Sequence, residues 1–272
     1  MNGVQITTPF EKLEAEGGKY EEIKNATKAG VDIKTDVTND SDTEATGVSV
    51  KSTVYNKEGD VVSTQTDDIT VAAGKTETIS QSVDVANPKL WSVDSPNLYW
   101  VRTEIIQNGK VVDSTDSRFG IRYIATDPNS GFYLNGVHTK LNGVCEHSDL
   151  GSLGMETYQA AVDRRIRTLK KYGVNAIRTS HNPVSPEFIE ACDRLGMLVF
   201  EEAFDQWLYS KNSDDYHNYF NKAADGKTVV FDKAGNDNTN NDTSYIEVKR
   251  DDLQSNAERD IKAMVERDKN AP

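Results

Sequence analysis

The chain has 272 residues, 36% hydrophobic and 28% charged, with a formal charge of −13 at pH 7, a length that suits two ordinary domains. The acidic excess argues against nucleic acid or an anionic membrane as partner, because phosphate-binding surfaces need clustered Lys and Arg, and no apolar run of about 18 residues marks a membrane span. A soluble protein with a neutral ligand such as a sugar is the expectation.

Met1, Asn2 and Gly3 lead straight into a strand-like Val4-Gln5-Ile6 without a leader pattern, and cellular location stays open. To about residue 123 the chain alternates short period-two runs with turn signals. Val31, Ile33 and Val37 alternate with Asp32, Lys34, Asp36 and Thr38, and Val48, Val50 and Val54 repeat the pattern, so each run can bury one face. Between the runs lie Asn39-Asp40-Ser41-Asp42, Asn56 to Asp60, Ala73-Gly74-Lys75 and the hairpin dipeptide Asn108-Gly109, whose residues tolerate positive φ. Residues 1–123 are therefore predicted to form an immunoglobulin-like β-sandwich of about seven strands.

From residue 139 the rhythm becomes short apolar strands alternating with amphipathic helices, the pattern of a parallel sheet with crossover helices. Strands are predicted over 139–144, 174–177 and 197–201. The intervening helices are predicted over 155–172, with Tyr158, Ala161, Val162, Ile166 and Leu169 on one face, and over 186–195, between Pro186 and Gly196. Residues 205–254, with the polar run Gly235 to Asp242, read as a loop, and a last helix is expected over 254–268. Residues 124–272 thus read as the first three β/α units of a TIM barrel, which closes with eight. On that count the barrel is expected to be incomplete. Cys145 and Cys192 have no metal-ligand spacing and are expected to be buried free thiols.

Three segments fall where barrel enzymes place functional groups, just past the C-terminal ends of parallel strands: Gly143 to Asp149, Ile177 to Pro183, and Phe200 to Trp207. They bring His147, His181, Arg178, Asn182, Glu201, Glu202, Asp205 and Trp207. Planar polar groups for hydroxyls, with an indole for a pyranose face, make a sugar site the natural reading. Structural hydrogen bonding by the histidines and an ordinary polar strand end at Glu201 and Glu202 are the plain alternatives. A metal held by Glu146, His147 and Asp149 is a further one that no spacing compels.

The ordered set Asn135-Gly136, Leu141 to Val144, His147, Asp149 and Gly151, then Ile177 to Pro183, then Glu202 to Asp205 with Trp207 resembles the barrel opening of glycoside hydrolase family two, the β-galactosidase type. Pro88 to Tyr99 and Phe119-Gly120-Ile121-Arg122 are similar to that family's immunoglobulin-like domain and the hinge that follows it. The resemblance implies retaining hydrolysis by two glutamates about 5–5.5 Å apart, neither matched here, so the acid/base and nucleophile are expected after Pro272 and a jelly-roll domain before Met1. Taken alone, the chain is then expected to be inactive.

What the resemblance implies for individual residues is supportive. His147 and His181 would touch sugar hydroxyls, and Arg178 would hold the nucleophile ionised. Asp205 and Trp207 would sit at the subsite rim, with Asn182, Glu201 and Glu202 in support. Ser148 stands where a second His is frequent, and Glu201 where an Asp is. Terminal β-D-galactosides are the expected substrates. The alternatives are β-glucuronides or β-mannosides, or a non-catalytic carbohydrate-binding or scaffold protein. No cofactor is predicted, and a divalent metal in a longer parent is left open.

Overall fold

The computed structural model describes residues 3–204 and 256–272, and the backbone of 229–232, 245–248 and 250–255. In chain order the strands of the first part are β1 (Val4–Thr7), β2 (Leu13–Gly18), β3 (Glu21–Thr38), β4 (Ala45–Tyr55), β5 (Val61–Val71), β6 (Thr76–Ala86), β7 (Tyr99–Gln107) and β8 (Lys110–Phe119). They form two antiparallel four-stranded sheets, one with β3 paired to β1, β2 and β6, the other ordered β5-β4-β7-β8. That is one strand more than the turn signals suggest. The period-two runs bury as expected: Val31, Ile33, Val50 and Val54 are fully enclosed, and Val31, Ile33, Val54, Val101 and Phe119 share one core between the sheets. A polar link crosses the same space, where buried Ser52 donates to Gln81 (2.7 Å), whose amide donates to the Val50 carbonyl (3.1 Å).

A small antiparallel sheet, β9 (Ile124–Asp127), β10 (Gly131–Leu134) and β11 (Val137–His138), follows. No expectation covered it, because strands this short carry too few apolar residues to show a period. Asn135 and Gly136 both have positive φ (51° and 75°). A Cβ at Gly136 would lie 1.9 Å from the Glu21 carbonyl oxygen, so this turn needs glycine. The buried Asn135 side chain accepts from the Tyr123 amide (2.9 Å) and donates to the Trp91 carbonyl (2.9 Å).

The second part contains β12 (Gly143–Glu146), α1 (Gln159–Lys171), β13 (Ala176–Thr179), α2 (Pro186–Leu195), β14 (Leu198–Phe200), β15 (Val229–Asp232), β16 (Tyr245–Val248) and α3 (Arg250–Asp268). Strands β12, β13 and β14 form a parallel sheet in that order. One face, with Val144, Ile177 and Val199, packs on Val162 and Ile166 of α1 and Phe188 and Ile189 of α2. The other carries Cys145, Arg178 and Phe200 in register. It is the inward face of a barrel, and Phe200 on it is 69% exposed.

Several expected boundaries need correction. Strands predicted over 139–144 and 174–177 lie at 143–146 and 176–179. Val174 is not strand: after Gly173 (φ 82°) its amide closes α1 on the Leu169 carbonyl (3.1 Å), so the apolar residue caps the helix. Helix α1 starts at Gln159, and Met155 and Tyr158 are exposed, so Tyr158 is not on its buried face. The span 205–254 is not all loop, since β15 and β16 pair antiparallel and α3 begins at Arg250. The polar run 235–242 lies outside the described residues. Cys192 is buried, but Cys145 is exposed, because it faces inward on the sheet while the helices cover the opposite side.

Several side-chain anchors join the halves among the described residues. The Trp91 indole donates to the Asp193 carbonyl of α2 (2.8 Å), and Arg118 pairs with the Asp193 carboxylate (3.0 Å). Lys170 of α1 donates to three carbonyls, those of Val93, Leu195 and Gly196 (2.6, 2.6 and 2.9 Å). Just past α3, Asn270 accepts from the Ile6 amide (2.6 Å) and donates to the Val4 carbonyl (3.0 Å), tying the segment after the helix to β1. No helix among the described residues is long and apolar enough to cross a membrane.

Candidate active-site wall

Strand alternation decides which polar groups meet. Arg178 and Phe200 point inward, so by period two Glu202 and His147 do also, while Glu146, Thr179 and Glu201 turn toward the helices. On the inward side Arg178 Nε donates to Glu202 Oε1 (2.5 Å), and His181 Nδ1 lies 2.9 Å from Glu202 Oε2. The Glu202 backbone amide is itself tied to the hydroxyl of Thr179, which is 1% exposed (2.9 Å). His147 stands edge-to-face against His181, ring centroids 5.9 Å apart at 80°. These residues come from the ends of all three strands. His181 follows a cis peptide bond at Ser180–His181.

The electrostatics follow from the contacts. Arg178, and then His181, hold the Glu202 carboxyl below its usual range. Arg178 and Ser180 lower the Cys145 thiol, which lies 3.7 Å from Arg178 Nη1. The cluster is a charged, hydrogen-bonded wall edged by imidazole nitrogens and guanidinium N–H groups, able to bind hydroxyls.

Of the residues singled out in the sequence, His147, His181, Arg178 and Glu202 come together. Asn182 is exposed just beyond them. Glu201 does not join. It accepts from Arg267 of α3 (3.1 Å) and from the Val184 amide (3.4 Å), and burial, with the neighbouring Asp268 carboxylate, pushes it up. Glu146 likewise pairs with Arg165 of α1 (2.9 Å), and Arg165 also donates to the Asp149 carbonyl. Asp205 and Trp207 lie outside the described residues. Thr179 and Arg165 were missed as supports; the period-two count from the strand start is the signal that separates Thr179 from Arg178 and Glu201 from Glu202.

Comparison with known proteins places both parts of the chain in one family. Residues 19–122 match Glycosyl hydrolases family 2, and residues 126–272 match its TIM barrel domain. The chain is 40% identical over 195 residues to Beta-galactosidase BoGH2A of Bacteroides ovatus, covering 72% of this chain and 23% of that protein. To a beta-glucuronidase of Bacteroides fragilis it is 34% identical over 119 residues, 43% of this chain and 17% of that one. Among solved structures, a glycosyl hydrolase family 2 member from Bacteroides cellulosilyticus superposes with TM-score 0.74 at 31% identity, over 99% of this chain and 30% of that one. A Bacteroides uniformis beta-glucuronidase gives 0.66 at 29% identity, over 78% and 24%. The chain spans less than a quarter of the length of these curated relatives. With both of its halves matched in order, the chain belongs to glycosyl hydrolases family 2.

Proposed function

We propose that the parent of this chain is a retaining glycosidase of terminal β-D-galactosides, with residues 1–123 as its immunoglobulin-like support and residues 124–272 as the opening of its barrel. In this reading His147 and His181 touch hydroxyls of the sugar, Arg178 faces the nucleophile, and Asp205 and Trp207 form the subsite rim. Asn182 and Glu202 support the wall from within the site, and Glu201 does so from the helix side. Glu146, Glu201 and Glu202 are each engaged by an arginine (Arg165, Arg267 and Arg178). By the family resemblance, and not by these pairings, the acid/base and nucleophile are assigned to parts of the parent outside this sequence, as is a jelly-roll domain, and the 272 residues alone are expected to be inactive.

The observation that carries the choice of a neutral glycone is the pairing of the strand-end cation. Among the described residues of the wall, the strand-end arginine Arg178 is committed to Glu202, while Arg165 of α1 is paired with Glu146 on the helix side. A uronate would meet no uncompensated positive charge here, and enclosing an unpaired carboxylate costs several kcal/mol. The similarity to beta-glucuronidases supports the second reading, with the uronate held elsewhere in the parent. Purified parent should show a kcat/KM for an aryl β-galactoside at least about a hundredfold above that for the β-glucuronide. The reverse ratio would favour the second reading, and turnover of neither would favour a sugar-binding or scaffold role.

A further inference from the structure

We propose that Glu202 is a positioning residue that fixes His181 in the tautomer carrying its proton on Nδ1, so that Nε2 faces the site as a hydrogen-bond acceptor. The tautomer follows from the contacts alone; its use toward a sugar hydroxyl rests on the glycosidase reading above.

Glu202 is immobilised at both ends. Its amide is bound by buried Thr179, and its Oε1 is bound by Arg178 Nε at 2.5 Å, which aims Oε2 at His181 Nδ1, 2.9 Å away. An ionised carboxylate has only acceptor sites. At that distance a bare Nδ1 lone pair would face an anionic lone pair, so Nδ1 must bring the proton. The only competing donor to Nδ1 among the described residues is Arg178 Nη2, at 3.3 Å. It is the more distant partner, and its own guanidinium is already committed to Glu202. The edge-to-face His147 ring packs against the imidazole and opposes a flip that would carry Nδ1 away from the carboxylate. A histidine whose Nδ1–H is claimed by a carboxylate has its neutral tautomer and ring orientation fixed, with the lone pair on Nε2. At Nε2 neutral His181 can then accept a hydrogen bond from a ligand hydroxyl but cannot donate one, which selects hydroxyls free to act as donors.

The test is NMR of the 272-residue chain with ring-15N histidine. It has four histidines, His138, His147, His181 and His217, and the signal lost in His181→Gln assigns the relevant ring. In the neutral form, long-range proton–nitrogen spectra should show a protonated Nδ1 and an unprotonated Nε2 for His181. In Glu202→Gln the amide can keep its oxygen on Arg178 and turn its NH2 toward Nδ1, so the proton should move to Nε2. A wild-type His181 protonated on Nε2, or a Glu202→Gln spectrum with unchanged ring signals, would overturn the proposal. If Glu202→Gln fails to fold, the wild-type tautomer alone decides. Because no sugar is present in the measurement, a parent that fails to cleave galactosides leaves this result standing, and a wrong tautomer leaves the hydrolysis reading standing.

Discussion

Replacing Trp91 by alanine should loosen both halves of the molecule at once. Trp91 is fully buried, and it packs with Leu98 of the sandwich, Leu134 of the small sheet and Leu198 of the barrel sheet. Its amide donates to the Ile121 carbonyl (2.8 Å), its carbonyl accepts from Asn135 (2.9 Å), and its indole donates to Asp193 (2.8 Å). Truncating a buried aromatic of this kind costs about 3–5 kcal/mol, against a total stability of roughly 5–15 kcal/mol. Trp91→Phe keeps most of the volume and leaves the Asp193 carbonyl without its donor, which should cost about 1–3 kcal/mol. Urea titration followed by circular dichroism gives the two differences, and amide hydrogen exchange in β7 and β13 shows where they act. The reasoning fails if Trp91→Ala costs less than about 1.5 kcal/mol, or if exchange accelerates in only one of the two strands.

Gly196 ends α2 in the left-handed region (φ 74°), and a Cβ there would lie 2.2 Å from the Val93 carbonyl oxygen. Gly196→Ala should therefore cost at least about 2 kcal/mol and lower the Tm by about 5 °C or more; an unchanged Tm in a calorimetric scan would refute the close approach. Burial pushes the Asp193 carboxyl up to about 7, against the pull of Arg118 and Arg122. A carboxyl whose folded pKa is raised above its unfolded value of about 3.9 contributes stability that is full below about pH 4 and is lost as the pH rises through 7. The stability of the wild type relative to Asp193→Asn should accordingly fall between pH 4.5 and 8, and a difference that stays level or grows over that window would exclude the effect.

Much of this architecture is visible in local pattern. The alternation of Val31, Ile33 and Val37 and of Val48, Val50 and Val54 already marks which faces of β3 and β4 are buried, because period-two burial needs no knowledge of the partner strand. Helix α2 is bounded as expected, by Pro186 at its start and Gly196 past its end, because both signals act through backbone conformation. The hairpin of β15 and β16 and the small sheet of β9 to β11 escape the same approach, since two to four residues per strand are too few to carry a period. The strand at Ala176 to Thr179 is misplaced by two residues for a different reason: Val174 has an apolar side chain whether it caps a helix or starts a strand.

The sequence by itself determined the two-part plan, the ordered polar strand ends and, through them, the family, because turn residues, alternation and motif order are properties of neighbouring residues. Only the tertiary structure decided what those polar groups do to one another. Glu201 and Glu202 are adjacent in the chain, yet one answers to Arg267 of α3 and the other to Arg178 and His181. Likewise the joint between the halves rests on Trp91 meeting Asp193 across 102 positions of sequence. Such pairings depend on the register of three parallel strands and on the packing of a sandwich against two helices, and long-range contacts of that kind leave no periodic trace in the order of residues.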